Sequence, residues 1–290
     1  MQRFPDCMDL VPVLRRKGAA VEKELARLQE EAKTYPRRDQ QLAAIRYYLH
    51  FMLWECQKYW LESHKGITNY RTLMDAMERW RVSSGEQICF VTFNYDTMLE
   101  DAMLQTIGFE VVDLDGYVQR SDYLLVKLHG SINWGRELNM ALNGGSPQDL
   151  IRMASTLNIS DRFRLVHDYP MIYENRYLVF PALAIPVENK DEFSCPERHI
   201  STLEAFLPKV SKILTIGWRA TEMDFLAMLR GRLVHKPKVM VVSGTHDGAT
   251  QTRNNLLPLT DNTEWPTILF DGGFTGLIEN LATLDGFLRA

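Results

Sequence analysis

Residues 88–100, ICFVTFNYDTMLE, decide how this chain folds. An apolar, aromatic-rich run ends in a polar turn, and apolar residues then recur at helical spacing from Met98 onward. This pattern predicts a buried strand followed directly by a helix, with Asn94 and Asp96 at the carboxyl end of the strand. In open α/β sheets, the crevice at the carboxyl ends of the strands is where ligands bind.

Two further apolar runs also end in glycine next to polar or aromatic residues. They are 123–128, followed by His129-Gly130-Ser131, and 213–216, followed by Gly217-Trp218-Arg219. Strand and helix patterns alternate from about residue 87, which is typical of βαβ units and a parallel sheet. We therefore expect one site at one edge of a mostly parallel sheet.

The first 84 residues show three helical patterns and no strand pattern. These patterns cover about 19–33, 40–62 and 70–80. The second is rich in aromatic residues, which favours core packing, with an oligomer interface as the alternative. We predict a helical region, 1–84, packed on an α/β domain, 85–290. Residues 136–176 have weak periodicity and are expected to form an insertion, and the chain is expected to close with a helix at 276–288.

Composition excludes several classes of protein. Hydrophobic residues make up 46% of the 290 residues, charged residues make up 24%, and the net charge is -4, so we expect no nucleic-acid binding. We find no apolar run of about 18 residues and no signal-peptide core, which predicts a cytoplasmic protein without a membrane span. The cysteines form no CxxC pair, and His167, His199, His235 and His246 show no metal-ligand spacing. We expect no metal site and place these histidines on the surface.

Three motifs at the strand ends resemble one family. They are T-x-N-Y-D from Thr92, K-L-H-G-S from Lys127 and I-G-W from Ile216. Their order and approximate spacing are similar to those of the sirtuin-like domains of bacterial NAD-degrading proteins, many of which belong to anti-phage defence systems. The resemblance covers about residues 85–290. It implies a Rossmann-like, mostly parallel sheet with helices on both faces and a helical insertion, with NAD bound across the strand ends as a substrate. It also implies a homo-oligomer or a defence-system partner protein.

The resemblance implies roles for individual residues. Asn94 matches the family's catalytic asparagine, His129 the catalytic histidine that faces the ribose, and Asp96 the acid that engages the nicotinamide amide. The other matched positions are assigned to cofactor binding: Thr92, Ser131, Gly217, Arg219, Ser243, Gly244, Asp271, Gly272 and Phe274. Simpler interpretations remain open for several of them. Asn94 and Asp96 are common helix caps, His129 could sit in a turn, and residues 271–273 could be only a tight turn.

The chemistry of these side chains suits hydrolysis of the nicotinamide–ribose bond. Cleavage creates an oxocarbenium-like centre on the ribose, as in glycoside hydrolysis. The amide of Asn94 can both donate and accept hydrogen bonds to the sugar and to water. The imidazole of His129 can accept a proton near neutral pH. A protein deacylase is a weaker alternative because its usual zinc module requires paired cysteines.

The chain departs from the family in one respect. The glycine-rich loop Gly-Ala-Gly-x-Ser after the first strand, which holds the pyrophosphate, is missing. Residues 17–20 are the nearest match, and we reject them because they follow a charged run. Residues 3–5 resemble the segment that comes after that loop, so an upstream strand is either omitted from this sequence or lost. We therefore expect exposed neighbouring strand edges and reduced affinity for NAD. A degenerate domain that binds a nucleotide or a partner protein is the alternative to an enzyme.

Overall fold

The computed structural model describes residues 4–8, 10, 12, 16, 21–139, 145–185, 193–256 and 265–290. Residue 3 and residues 17–20, to which the sequence drew attention, lie outside this part. The helices are α1 (Val21–Ala32), α2 (Pro36–His64), α3 (Asn69–Ser84), α4 (Met98–Ile107), α5 (Pro147–Arg152), α6 (Glu197–Phe206), α7 (Met223–Arg232), α8 (His246–Leu256), α9 (Gly273–Glu279) and α10 (Leu281–Arg289). The strands are β1 (Ile88–Thr92), β2 (Tyr123–Lys127), β3 (Gly130–Leu138), β4 (Ile159–Leu165), β5 (Ile172–Tyr173), β6 (Tyr177–Leu178), β7 (Phe180–Leu183), β8 (Lys212–Ile216), β9 (Lys238–Val242) and β10 (Thr267–Phe270).

The three helices predicted before residue 84 are confirmed as α1, α2 and α3. Proline opens α2, where its missing N–H costs no helical hydrogen bond. Gly85 ends α3 with a left-handed φ of 72°, a conformation that glycine adopts without a steric penalty. No helix in the described ranges is long and apolar enough to cross a membrane.

The prediction of an α/β chain with parallel strands is confirmed, but the parallel strands form two small sheets. β1 pairs with β2 in parallel, and Thr92 and Lys127 form the last pair of the ladder. The second sheet has the order β10-β9-β8, also in parallel. All five residues of β2 are buried, as are four of the five residues of β9.

β1 has a neighbouring strand on only one side within the described residues. Ile88 donates its N–H to the carbonyl of Asp122, and the carbonyl of Thr92 accepts the N–H of Leu128. Because the hydrogen-bonding direction of the backbone alternates along a strand, the N–H and C=O groups of Cys89 and Val91 point to the opposite edge.

β8 has the same one-sided pairing. Gly217 donates to Val242 and the carbonyl of Ser211 accepts from Lys238, both toward β9. The backbone groups of Lys212, Leu214 and Ile216 therefore point away from β9. In the part of the chain that the structure describes, no hydrogen bond joins β8 to β1.

Side-chain contacts at both ends nevertheless link β1 to β8. The ring of Phe93, which follows β1, stacks on that of Trp218, which follows β8, with centroids 5.5 Å apart. At the other end of β8, the ammonium of Lys212 lies 5.7 Å from the ring centroid of Trp80 in α3, the helix that leads into β1. Only one residue in each of β1 and β8 is fully buried. The two strands at the middle of this arrangement are thus more exposed than their outer neighbours.

The third sheet, β4-β3-β7, is antiparallel, and the predicted insertion supplies β4 and the end of β3. β3 begins at Gly130, directly after His129, so a second strand follows the end of β2 with no loop between them. Gly130 has a φ of 83°, and a Cβ atom there would lie 1.8 Å from the carbonyl oxygen of Ala182 in β7. Only glycine permits this close approach of two backbones.

The buried hydrophobic residues form two main clusters that divide the chain differently from the predicted domains. The larger contains the two parallel sheets together with α3 and α4. The smaller contains α1 and α2 with residues of α5 and β7. The predicted helical region, 1–84, is therefore shared between the two cores, because α3 packs on the parallel sheets and α2 on the antiparallel one.

Two expectations from the sequence were wrong. The closing helix begins at Gly273 and is interrupted at Asn280, whose ψ of 59° is not helical, so two helices replace one. His199 is completely buried, and its Nε2 lies 2.7 Å from the carbonyl oxygen of Leu114. Its ring lies against Tyr117 and Trp134, a tertiary contact that spacing along the chain does not reveal.

The open edges of β1 and β8 predict an alternating pattern of amide hydrogen exchange. The amides of Phe90 and Ile213 are hydrogen-bonded to a neighbouring strand. We therefore expect the amides of Cys89, Val91 and Leu214, which point to the open edges, to exchange with solvent much faster than these two. Residue-resolved exchange measured by NMR tests this. The amides of β9, which has strands on both sides, provide the control. Uniform protection along β1 would contradict the open edge.

Candidate active site

Hydrogen bonds from the first residues of β3 hold the segment after β1. The carbonyl of Tyr95 accepts the N–H of Ile132 at 2.8 Å and the hydroxyl of Ser131 at 3.2 Å. The hydroxyl of Tyr95 donates to the carbonyl of Ala184 at 2.8 Å. Ser131 is completely buried. Its hydroxyl therefore supports this segment and does not face an open surface.

His129 lies at the carboxyl end of β2 and is only 5% exposed. Its ring centroid is 4.9 Å from that of Phe93 and 6.4 Å from that of Tyr95. Its carbonyl accepts the N–H of Ala184 at 3.0 Å. Backbone and ring contacts thus fix the position of the imidazole beside the segment that follows β1.

Asn94 is exposed, and its side chain lies on Tyr70 of α3. The Asn94 Nδ2 donates to the Tyr70 hydroxyl at 3.2 Å, and the Asn94 N–H donates to Thr92 Oγ1 at 3.1 Å. Burial raises the pKa of the Tyr70 hydroxyl, and the negative charge of Asp96 raises it further. Sequence reasoning missed Tyr70, because its position in a helix 24 residues earlier gives no motif. An aromatic residue in the first turn of α3 is the only local signal.

Tyr70 also connects Asn94 to the end of the second sheet. Its ring is 5.3 Å from that of Phe274, one of the residues assigned to cofactor binding. The structure therefore brings Asn94, Tyr70 and Phe274 together, although they come from three separate parts of the chain.

Asp96 lies one residue before Thr97, the N-cap residue of α4, whose own side chain makes no capping hydrogen bond. The Oδ1 of Asp96 accepts the N–H of Met98 at 3.1 Å, at the start of α4. This is an Asx-type contact to the backbone two residues later, and it satisfies one of the otherwise unpaired N–H groups of the helix start. This local contact alone accounts for an acidic residue at this position.

The ends of β8, β9 and β10 bring the remaining assigned residues to one place. Gly217 is exposed with a φ of 64°, and a Cβ atom there would have no heavy atom within 4 Å. A Cβ on Gly273 would lie 3.5 Å from the Cα of Gly244. Asp271 and Gly272 are exposed in the turn between β10 and α9, and Ser243, directly after β9, is half-buried.

Backbone N–H groups at these strand ends already have partners. The N–H of Gly217 donates to Val242, that of Ser243 to Phe270, and that of Gly273 to Ser243. A phosphate cradle requires N–H groups that point into the site, and these three are not available for that purpose. Arg219 is exposed at the same edge and places a cation there.

Phe93 joins the two halves of the site. Its ring contacts His129 at the end of β2, and it stacks on Trp218 beyond the end of β8 with an interplanar angle of 16°. The ends of β1, β2 and β8 therefore meet at one ring. Across the described ranges, no group of three or more His, Cys, Asp or Glu residues is arranged to hold a metal ion.

Comparison with known proteins adds no relative. No protein-family model matches the chain, and no curated protein matches it significantly.

A methyl group added at Gly130 and one added at Gly217 should have very different effects on stability, because the surroundings of the two glycines differ. We expect Gly130→Ala to lower the free energy of unfolding by more than about 3 kcal/mol, because the new Cβ would collide with the Ala182 carbonyl. Gly217→Ala is the matched control, since its φ is also positive but its surroundings are open. It should cost only about 1 kcal/mol. Chemical denaturation measures both, and equal losses would contradict the close approach at Gly130.

Proposed function

We propose that this chain hydrolyses the nicotinamide–ribose bond of NAD. The observation that carries the proposal is the position of Phe93, which contacts His129 and Trp218 and so gathers three strand ends beside Asn94. We also propose that the two parallel sheets are the halves of a Rossmann-like, sirtuin-like arrangement. The common edge of their strands supports that interpretation.

In this proposal each side chain has a separate task. The exposed amide of Asn94, oriented by Tyr70, binds the ribose and a water molecule. His129 accepts a proton from a ribose hydroxyl or from the attacking water. Nicotinamide leaves as a neutral group, so its departure needs little acid assistance. Phe274, which lies against Tyr70, contacts the adenosine end of the substrate. Asp96 contacts the nicotinamide amide.

The biological setting proposed is that of an effector in bacterial anti-phage defence, which acts by removing NAD. The C-terminal half of α2 supports assembly into an oligomer. Tyr59 is 71% exposed and Trp60 is 43% exposed, so two large aromatic side chains face outward on one helix. Exposed aromatic residues are enriched at protein–protein interfaces.

A second candidate function is a non-catalytic domain that binds a nucleotide or a partner protein. The one-sided pairing of β1 and β8 favours it, because a glycine-rich phosphate loop would be expected to follow a strand between them. The strand-end N–H groups of Gly217 and Gly273 are already bonded. Both functions predict weak recognition of phosphate.

Substitution of the two proposed catalytic residues tests the first function. We expect Asn94→Ala and His129→Ala each to reduce cleavage of a fluorescent NAD analogue by about 100-fold or more, because sugar positioning and proton transfer would be lost. The controls are Asn139→Ala and His235→Ala, which alter an exposed amide and an exposed imidazole elsewhere. Activity that survives both catalytic substitutions would rule out these assignments. An inactive wild-type chain that still binds NAD would favour the second function.

Calorimetry tests the predicted weakness of phosphate recognition. We expect residues 1–290 to bind NAD with a millimolar dissociation constant. Nicotinamide riboside, which lacks the pyrophosphate and adenosine, should bind with similar affinity because the phosphates find few N–H donors. Micromolar binding of NAD together with much weaker binding of the riboside would show that a phosphate site exists.

A further inference from the structure

Lys127, the last residue of β2, is completely buried. The other four residues of β2 are a tyrosine, two leucines and a valine, and all are buried. The Lys127 ammonium therefore lies inside the protein at the end of an apolar strand. Burying a charged group without a partner is strongly unfavourable. The partners of this ammonium therefore show what the lysine does.

The ammonium has two partners on the segment that follows β1. It donates to the backbone carbonyl oxygen of Asp96 and to Oε1 of Glu100, the latter at 2.8 Å. Glu100 lies in the first turn of α4. Lys127 thus connects the end of β2 to both the turn that carries Asn94 and the helix that follows it.

The ion pair belongs to a larger buried network. The hydroxyl of Tyr117 donates to the same Oε1 of Glu100 at 3.1 Å, and Nδ2 of Asn133 donates to the Tyr117 hydroxyl at 3.3 Å. Tyr117 is completely buried, and Asn133 belongs to β3. The network therefore holds the Glu100 carboxylate in place as the partner of the Lys127 ammonium.

The two contacts of Lys127 have different physical consequences. A buried ion pair can often be replaced by apolar residues of similar volume without loss of stability. An apolar side chain cannot donate a hydrogen bond to the Asp96 carbonyl, so that contact is specific to the ammonium. Asp96 lies two residues after Asn94, so its carbonyl is a point at which Lys127 holds the turn that carries the Asn94 amide.

We propose that Lys127 is a positioning residue, which fixes the segment at residues 94–97 in the geometry needed for cleavage of NAD. This inference rests on the function proposed above. Lys127 itself does not contact the substrate. It acts through the Asp96 carbonyl on the position of Asn94.

The test separates the stabilising role of the ion pair from the positioning role. Lys127→Met leaves the Glu100 carboxylate buried without its cation, and a large fall in Tm is expected. The double variant Lys127→Met, Glu100→Met removes both charges and should recover most of that loss, although the Tyr117 hydroxyl then lacks its acceptor. We expect its kcat to remain roughly 10- to 100-fold below the wild-type value, because the Asp96 carbonyl has lost its donor.

The control is Tyr123→Phe, which removes a hydrogen bond of 2.7 Å from Tyr123 to Glu78 at the amino end of the same strand. It should leave kcat unchanged. A double variant that recovers both Tm and kcat would show that Lys127 is only structural.

Hydrogen exchange provides a readout that does not depend on activity. We expect amides at residues 94–97 to exchange faster in the stable double variant than in the wild type or in Tyr123→Phe. If the wild-type chain does not cleave NAD, the proposed function fails and the exchange measurement alone decides the role of Lys127. Unchanged exchange at residues 94–97 would overturn the inference.

Discussion

The contact of the Phe93 ring with both Trp218 and His129 is the interaction on which the candidate site depends. β1 and β8 share no hydrogen bond within the described residues, so the ladder that normally aligns neighbouring strands is missing between them. Aromatic packing at their carboxyl ends takes its place. Offset or tilted aromatic pairs contribute about 0.5–1.5 kcal/mol each beyond the area that they bury. Phe93 also contacts Phe225 of α7, which adds a third such pair.

The sequence predicted three of the parallel strands well because each is a short apolar run that ends in glycine or polar residues, whereas β3 and β4 were not predicted. β1, β2 and β8 lie where the pattern placed them, and so do the helices before residue 84. Local patterns do not reveal which strands become neighbours. The start of β3 at Gly130 was missed because the backbone there approaches the Ala182 carbonyl, more than 50 residues later. Pairing between distant segments depends on tertiary contacts that a sequence window does not contain.

The same limit explains which candidate residues the sequence suggested. Asn94 and His129 follow apolar strands and stand out as polar residues at strand ends. Tyr70 and the positioning role of Lys127 did not stand out, because one lies in an amphipathic helix and the other ends an apolar run as a lone charge. A lysine at the end of a strand is usually solvated, and only its complete burial shows that it has an internal partner.

Whether the chain is an enzyme or a binding domain depends on which contacts would stabilise the transition state and which would bind the intact dinucleotide. In the proposed function the Asn94 amide binds the ribose, but the N–H groups of Gly217 and Gly273 are already hydrogen-bonded to neighbouring carbonyls. Contacts to the sugar can stabilise an oxocarbenium-like transition state without tight binding of the intact dinucleotide. A site of this kind would bind NAD weakly and could still accelerate its cleavage. Weak affinity and catalysis are therefore compatible here, and the rate of cleavage distinguishes the two functions more directly than the affinity does.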